Sequence, residues 1–98
     1  MDIKAAQSKN AGSEVNNMDM GKFYFLNNKF EEAVEMFNKV IETNPLNAEA
    51  YYNIGLIKES SNDIEEAKRM YQQALNINKD YAIAQEKLNN LMGIDKDE

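Results

Sequence analysis

The fold is decided by residues 48–81, which read AEAYYNIGLIKESSNDIEEAKRMYQQALNINKDY. The preceding residues 14–47 read EVNNMDMGKFYFLNNKFEEAVEMFNKVIETNPLN, and the two stretches align when the sequence is shifted by 34 residues. Identical residues in this alignment are Gly21 and Gly55, Asn28 and Asn62, Glu31-Glu32-Ala33 and Glu65-Glu66-Ala67, Met36 and Met70, and Asn44 and Asn78. An internal repeat of this length predicts stacked helical units that bury a shared core.

Each of the two units predicts a pair of helices. In the first unit, apolar residues crowd one side of residues 14–27, and from Phe30 they recur at steps of three and four. Such spacing is typical of an amphipathic helix. Pro45 ends the second helix because its ring cannot continue the hydrogen-bond ladder. The second unit repeats the pattern, and a fifth helix is predicted from about Tyr81 to Met92.

These patterns predict an all-α helical repeat, an α-α superhelix with two helix pairs and a C-terminal capping helix. Residues 1–13 have no apolar period and are predicted to be a flexible leader. The two repeat units are assigned to residues 14–47 and 48–81. The capping helix and a polar tail take residues 82–98. The length of 98 residues fits one small domain.

Residues that recur at the helix junctions predict local contacts. Asn28 with Glu31, and Asn62 with Glu65, have the spacing of an N-terminal cap with a reciprocal acidic residue. The glycines of the repeat lie inside helices, where glycine is destabilising by about 0.5–1 kcal/mol, so we expect the paired helix to approach closely there. We expect small residues to face these glycines and large residues to fill the gap to the next unit, namely Ala33 and Ala67, and Phe37 and Tyr71.

Composition argues against several classes of function. The chain has no cysteine and no histidine, which removes disulfides, thiolate metal sites, and the commonest general base. A net charge of −6 with 11 basic residues disfavours nucleic acid as a partner. No apolar stretch approaches the roughly 20 residues that span a bilayer. The N-terminus lacks the apolar core of a signal peptide, so we expect a cytoplasmic protein.

The remaining polar residues do not predict catalysis. The pairs Glu31-Glu32 and Glu65-Glu66 fall at predicted helix starts, where negative charge is favoured, and adjacent helical residues point in different directions. Ser60 and Ser61 have no histidine base to activate them. We therefore expect a protein that is not an enzyme and that has no cofactor and no metal.

The residues that carry the repeat resemble the tetratricopeptide repeat (TPR) family over about residues 14–92. The 34-residue period and the spacing of small and aromatic residues both fit that family. Asn17, Lys58 and Lys79 depart from the family's aromatic and proline positions. Gln85 and Asn89 replace an aromatic residue and a glycine, so the last helix resembles a cap whose polar outer face closes the stack.

The resemblance implies that the first helices of the units line a concave face that holds a peptide or a partner helix. This step is an analogy, because a fold alone does not fix a function. Within that face, Tyr52 is the candidate anchor, and Asn53 is expected to hydrogen-bond a peptide backbone. The expected peptide-binding residues are Met18, Asp19, Lys22, Glu49, Tyr52, Asn53, Leu56, Ile83, Glu86 and Lys87.

The same resemblance bears on the chemistry of the peptide. Some members of the family clamp the C-terminal carboxylates of chaperones with lysine, arginine and asparagine side chains. Here only Asn53 and Lys87 suit that clamp, whereas Met18, Lys22 and Ile83 do not. A chaperone C-terminal carboxylate is therefore not expected. The acidic residues of the face predict a neutral or basic, partly apolar peptide.

Self-association is the alternative to partner binding. Phe23, Phe25 and Met18 are predicted to be exposed apolar residues of the first unit. A homodimer, or a domain swap through the turn at Ser60–Asp63, would cover such a surface, and the chain would then be a structural scaffold module. An excerpt of a larger scaffold is a third interpretation of the sequence.

Overall fold

The computed structural model describes the backbone of residues 3–94 and the side chains of residues 13–94. All the regular secondary structure within these residues is helical. The helices are α1 (Ile3–Leu26), α2 (Phe30–Thr43), α3 (Ala48–Ser60), α4 (Ile64–Ile77) and α5 (Ala82–Met92). The all-α helical-repeat fold predicted from the sequence is confirmed.

The first helix is longer than the apolar pattern predicts. It begins at Ile3, so the stretch predicted to be a leader is helical from its third residue. Residues 3–13 contain three alanines, two lysines, one glutamine and no proline, and these residue types favour a helix without requiring an apolar stripe. Residues 1 and 2 and the polar tail 95–98 lie outside the described residues.

The chain divides into two compact units at the junction of Leu46 and Asn47. In unit 1, α1 packs against α2. In unit 2, α4 packs against both α3 and α5. Each helix pair is antiparallel because a short turn joins it, after Leu26 in unit 1 and after Ser60 in unit 2.

The asparagines of these turns end the first helix of each pair instead of capping the second. Asn28 and Asn62 have left-handed backbones with φ of 61° and 63°. The N–H of Asp63 donates to the Lys58 carbonyl at 2.8 Å, and the N–H of Asn62 donates to the Glu59 carbonyl at 3.0 Å. This is a Schellman motif, in which asparagine can replace the usual glycine. The N-terminal caps predicted at Asn28 and Asn62 are therefore wrong.

The N-cap position falls one residue later in both units. Lys29 precedes α2 and Asp63 precedes α4, and neither side chain makes a capping hydrogen bond. By contrast, Asn47 caps α3, because its side-chain oxygen accepts from the N–H of Ala50 at 3.0 Å.

The buried glycines meet aromatic rings of their own unit. A Cβ on Gly21 would lie 2.6 Å from Cε1 of Phe37, and one on Gly55 would lie 2.5 Å from Cε1 of Tyr71. The predicted close approach is present, but the nearest atoms across it belong to the rings and not to Ala33 or Ala67. Both rings are fully buried, so each glycine provides the space that a ring of the paired helix occupies.

The core of unit 2 sets the position of the last helix. Ala84 and Leu88 of α5 join Ala67, Tyr71 and Leu75 of α4 in one buried cluster. Leu91 is partly buried against it. The apolar stripe predicted for the fifth helix, at residues 84, 88 and 91, is therefore confirmed.

Candidate functional site

Helix α3 presents four of the predicted peptide-binding residues on one face. Residues three and four apart in a helix lie on the same side, which groups Glu49, Tyr52, Asn53 and Leu56. Glu49 is exposed, Tyr52 and Leu56 are half-buried, and Asn53 is buried. Unit 2 thus holds a continuous surface of α3 that mixes aromatic, amide, apolar and acidic groups.

Tyr52 lies in a cluster of three tyrosines, which we call the tyrosine cluster. The Tyr52 ring centroid is 5.7 Å from that of Tyr71 and 5.3 Å from that of Tyr81, with interplanar angles of 39° and 42°. Tilted pairs at these separations are favourable aromatic contacts. Because Tyr71 is fully buried and Tyr52 is only partly buried, the cluster runs from the core of unit 2 to its surface.

Carboxylates surround this cluster. The hydroxyl of Tyr71 donates to Oε1 of Glu59 at 2.7 Å. Burial raises the pKa of Tyr71, and the hydrogen bond to Glu59 and the negative charge of Glu59 raise it further. Burial, then the charges of Glu59 and Glu86, raise the pKa of Tyr52. Each negative charge opposes the formation of a second one on a nearby tyrosine oxygen.

Tyr81 completes the same electrostatic arrangement at the start of α5. Burial, then the charge of Glu49 and the electrostatic effect of Tyr52, raise its pKa to about 12. Three glutamates from two helices therefore act on the tyrosine cluster, with Glu49 and Glu59 on α3 and Glu86 on α5. The surface near the cluster is rich in acceptors and in negative charge.

Asn53 lies beside Tyr52 and has an unsatisfied amide. The residue is 8% exposed, and its Nδ2 atom is buried without a hydrogen-bond partner among the described residues. A buried amide without a partner is costly, by about 1–3 kcal/mol. This is the only buried polar side-chain atom without a partner among the described residues.

The predicted residues of α5 lie at its surface. Ile83 is 43% exposed, Glu86 is exposed and Lys87 is half-buried. Their neighbours Ala84 and Leu88 fix the helix to the core of unit 2. Glu86 is the member of this set whose charge reaches Tyr52, which joins the α5 surface to that of α3.

Of the three predicted residues in unit 1, two are at the surface. Asp19 and Lys22 are exposed on α1, whereas Met18 is 7% exposed and belongs to the buried residues. Met18 lies three residues before Gly21, so helix geometry directs it toward the side of α1 that meets α2. The prediction that Met18 is a surface residue is wrong. Met20, two residues later on α1, is 43% exposed.

Of the three apolar residues predicted to form a surface for self-association, one is exposed. Phe23 is 60% exposed, as predicted. Phe25 is half-buried, and its ring centroid lies 5.7 Å from that of Phe30 on α2. With Met18 buried, Phe23 is the exposed member of the predicted set.

Sequence reasoning missed Tyr71 and Tyr81 as neighbours of the site. The sequence predicts packing alone for Tyr71, and for Tyr81 it predicts only the start of the fifth helix. Tyr81 precedes α5 directly, and residues next to a helix start often lie against the preceding helix pair. That position was the available signal.

Other kinds of site find no support in the described part of the chain. Residues 3–94 contain no group of three or more histidine, cysteine, aspartate or glutamate residues arranged to hold a metal ion. No helix among them is both long enough and apolar enough to cross a membrane.

Comparisons with known proteins agree with this geometry. A family model of the tetratricopeptide repeat matches residues 14–80. Among curated proteins, nothing matches the chain. Among solved structures, the chain is similar to the first TPR of Spaghetti (RPAP3), which was solved bound to the HSP90 peptide SRMEEVD.

That structure supports the fold. Its TM-score is 0.76 and its sequence is 24% identical, over 82% of this chain and 64% of that one. The chain therefore spans less than two thirds of the related domain. At this identity, the likeness establishes the arrangement of helices and leaves the ligand of this chain to be inferred from its own residues.

Proposed function

Since the chain belongs to the tetratricopeptide repeat family, we propose that it is a protein-interaction module whose second unit binds a peptide or partner helix. The binding surface is formed by α3 and α5, with Tyr52 and Asn53 at its centre. Support comes from the related RPAP3 domain, which binds a peptide. The proposal concerns the part of the predicted concave face that belongs to unit 2.

The observation that carries this proposal is the unsatisfied amide of Asn53. A buried polar group normally has a partner, and an exception calls for an explanation. A rotation of the Asn53 side chain would bring this buried amide to the surface of α3, where a backbone carbonyl of a bound peptide would accept from it and remove the penalty. Half-buried Tyr52 and Leu56 on the same face would supply apolar contact on either side of that hydrogen bond.

A substitution at Asn53 separates binding from stability. Asn53→Leu keeps the volume and removes the unsatisfied donor, so the melting temperature should stay the same or rise. Peptide affinity should fall by about fivefold, because a hydrogen bond of roughly 1 kcal/mol is lost. The probe is a phage-displayed library of random peptides selected on the whole chain, with affinities measured by fluorescence polarisation.

Gln73→Leu is the matched control. Gln73 is exposed on α4 and lies outside the proposed surface, so this change should leave the affinity of the selected peptides unaltered. Selected peptides that bind the Asn53→Leu protein as tightly as the original protein would contradict the proposal. A lower melting temperature of Asn53→Leu would show instead that the amide stabilises the fold.

Exposed Phe23 is the observation that favours the alternative of a self-associating scaffold. Light scattering across a concentration series tests it, with Phe23→Ser as the variant. A mass that rises with concentration in the original protein and not in Phe23→Ser would support self-association through α1. A constant monomer mass would leave peptide binding as the better account.

A further inference from the structure

We infer that the tyrosine cluster binds a lysine or arginine side chain of the partner peptide. The cation would lie against the exposed part of the Tyr52 ring, between the carboxylates of Glu59 and Glu86. This inference rests on the proposed function and adds to it the chemistry of the partner.

The aromatic part of the site has the geometry that a cation requires. A cation is attracted to a tyrosine face when it lies within about 6 Å of the ring centroid. The ring centroids of Tyr71 and Tyr81 lie 5.7 Å and 5.3 Å from that of Tyr52 and hold this ring in one place, while Tyr52 as a whole residue is only half-buried. The ring is thus fixed before a ligand arrives, which lowers the entropy lost on binding.

The acidic part of the site comes from two helices, with Glu59 on α3 and Glu86 on α5. Glu59 accepts from Tyr71, which orients its carboxylate toward the cluster, and Glu86 is exposed on α5. The charges of both carboxylates act on the Tyr52 hydroxyl. A cation at the ring would therefore be close to two negative charges as well as to an aromatic face.

The balance of charge on this surface favours a positive ligand. Among the predicted residues of unit 2, Lys87 is positively charged. The negative charges of this surface belong to Glu49, Glu59 and Glu86. The whole chain has a net charge of −6. An acidic peptide such as SRMEEVD, which the related RPAP3 domain binds, would meet repulsion at this surface.

Asn53 gives an independent indication of a peptide at the same place. Its buried Nδ2 needs an acceptor, which a cationic side chain does not provide but a peptide backbone does. Asn53 directly follows Tyr52 on the same face of α3. One peptide residue could therefore place its carbonyl at Asn53 and its cationic side chain at Tyr52.

The experiment uses the whole chain and the phage-displayed random peptide library. We expect the selected peptides to carry lysine or arginine at a fixed place, and replacement of that residue by glutamine to lower affinity about tenfold. Glu86→Gln should weaken binding of these peptides by about threefold to fivefold, as expected for a partly exposed ion pair. Glu65→Gln on α4, where the side chain is 85% exposed, changes the net charge equally and should have no effect.

Tyr52 gives the second test. Tyr52→Phe keeps an aromatic face and should retain affinity within about twofold, whereas Tyr52→Leu should lose about tenfold. If Tyr52→Leu does not fold, the Glu86→Gln and Glu65→Gln pair decides the question, because both positions are exposed.

The outcomes distinguish this inference from the function on which it rests. Peptides that depend on Asn53 but lack a conserved cation, and that bind Glu86→Gln unchanged, would overturn the inference and leave the proposed function standing. A selection that yields no peptide dependent on Asn53 or Tyr52 would overturn both. Basic peptides that are weakened by Glu86→Gln and not by Glu65→Gln would support both.

Discussion

At the turn within each helix pair, the backbone conformation explains why the residue is asparagine. Asn28 and Asn62 adopt positive φ, which costs most L-residues roughly 1–2 kcal/mol. Asparagine tolerates this region better than other non-glycine residues because its short polar side chain can bond locally. Asparagine therefore recurs at this place because the turn requires it, and not because it caps the helix that follows.

Substitution of Asn62 tests this assignment. Asn62→Ala should lower the free energy of unfolding by about 1 kcal/mol, because alanine is strained at positive φ. Asn62→Gly should be neutral or slightly stabilising, since glycine is the usual residue at this place in the motif. Urea denaturation measures both. Equal stability of the alanine and glycine variants would argue that Asn62 acts through its side chain.

Gly55 is required by the ring of Tyr71. Gly55→Ala would place a methyl group 2.5 Å from Cε1 of a ring that is buried and held by Glu59. We expect a loss of about 1–3 kcal/mol, which exceeds the gain that alanine brings to a helix. Thermal melts of Gly55→Ala, Tyr71→Leu and the double variant measure the coupling.

The double variant decides the cause. If the ring is the obstacle, Gly55→Ala should cost less in the Tyr71→Leu background than in the original protein. Additive losses would place the cost elsewhere, for example in the backbone of α3.

Among the helices, α5 shows how a repeat stack can end. One side of it enters the core through Ala84 and Leu88, and Gly93 ends it with a left-handed residue at φ 79°. The N–H of Ile94 donates to the Asn89 carbonyl at 2.9 Å, which completes the same Schellman motif as in the turns. On its other side, Gln85, Glu86 and Asn90 are exposed.

The contribution of α5 can be measured with two aliphatic substitutions. Leu88 is 5% exposed, and Leu88→Ala should lower the free energy of unfolding by about 2–5 kcal/mol. Ile83 is 43% exposed on the same helix, and Ile83→Ala should cost about 0.5 kcal/mol or less. Chemical denaturation followed by circular dichroism gives both values. Similar losses would mean that the helix is not attached through Leu88.

At the scale of the whole molecule, the tyrosine cluster and the glutamates near it make the free energy of unfolding depend on pH in the alkaline range. In the folded chain, burial and Glu49 raise the pKa of Tyr81 to about 12, whereas an unfolded tyrosine ionises near 10. Above about pH 10, the unfolded state therefore binds fewer protons than the folded state. The stabilisation is complete below pH 10 and is lost as the pH rises toward 12.

We expect the free energy of unfolding to fall between about pH 10 and pH 12, with Tyr52 and Tyr71 acting in the same direction as Tyr81. Urea denaturation across this range, with tyrosinate absorbance as a second signal, measures it. Tyr81→Phe removes one of the groups and should make the decline shallower. A decline as steep in Tyr81→Phe as in the original protein would exclude Tyr81 as a contributor.

The sequence by itself determined the helical architecture. The period of 34 residues and the steps of three and four predicted two helix pairs and a fifth helix, and the structure contains all five. This succeeds because apolar spacing and proline act locally, within one helix or turn. The resemblance predicted that Tyr52 and Asn53 share one face of a first helix, since a repeat fixes which helix face a residue occupies, and their role in binding stays a prediction.

Only the tertiary structure decided which residues meet across helices. The burial of Met18, the ring of Phe37 over Gly21, and the place of Tyr81 beside Tyr52 each depend on a second helix. The unsatisfied amide of Asn53 depends on every atom around it. A sequence shows which positions are apolar. Contacts between helices depend on how whole side chains pack, and that packing leaves no periodic pattern in the sequence.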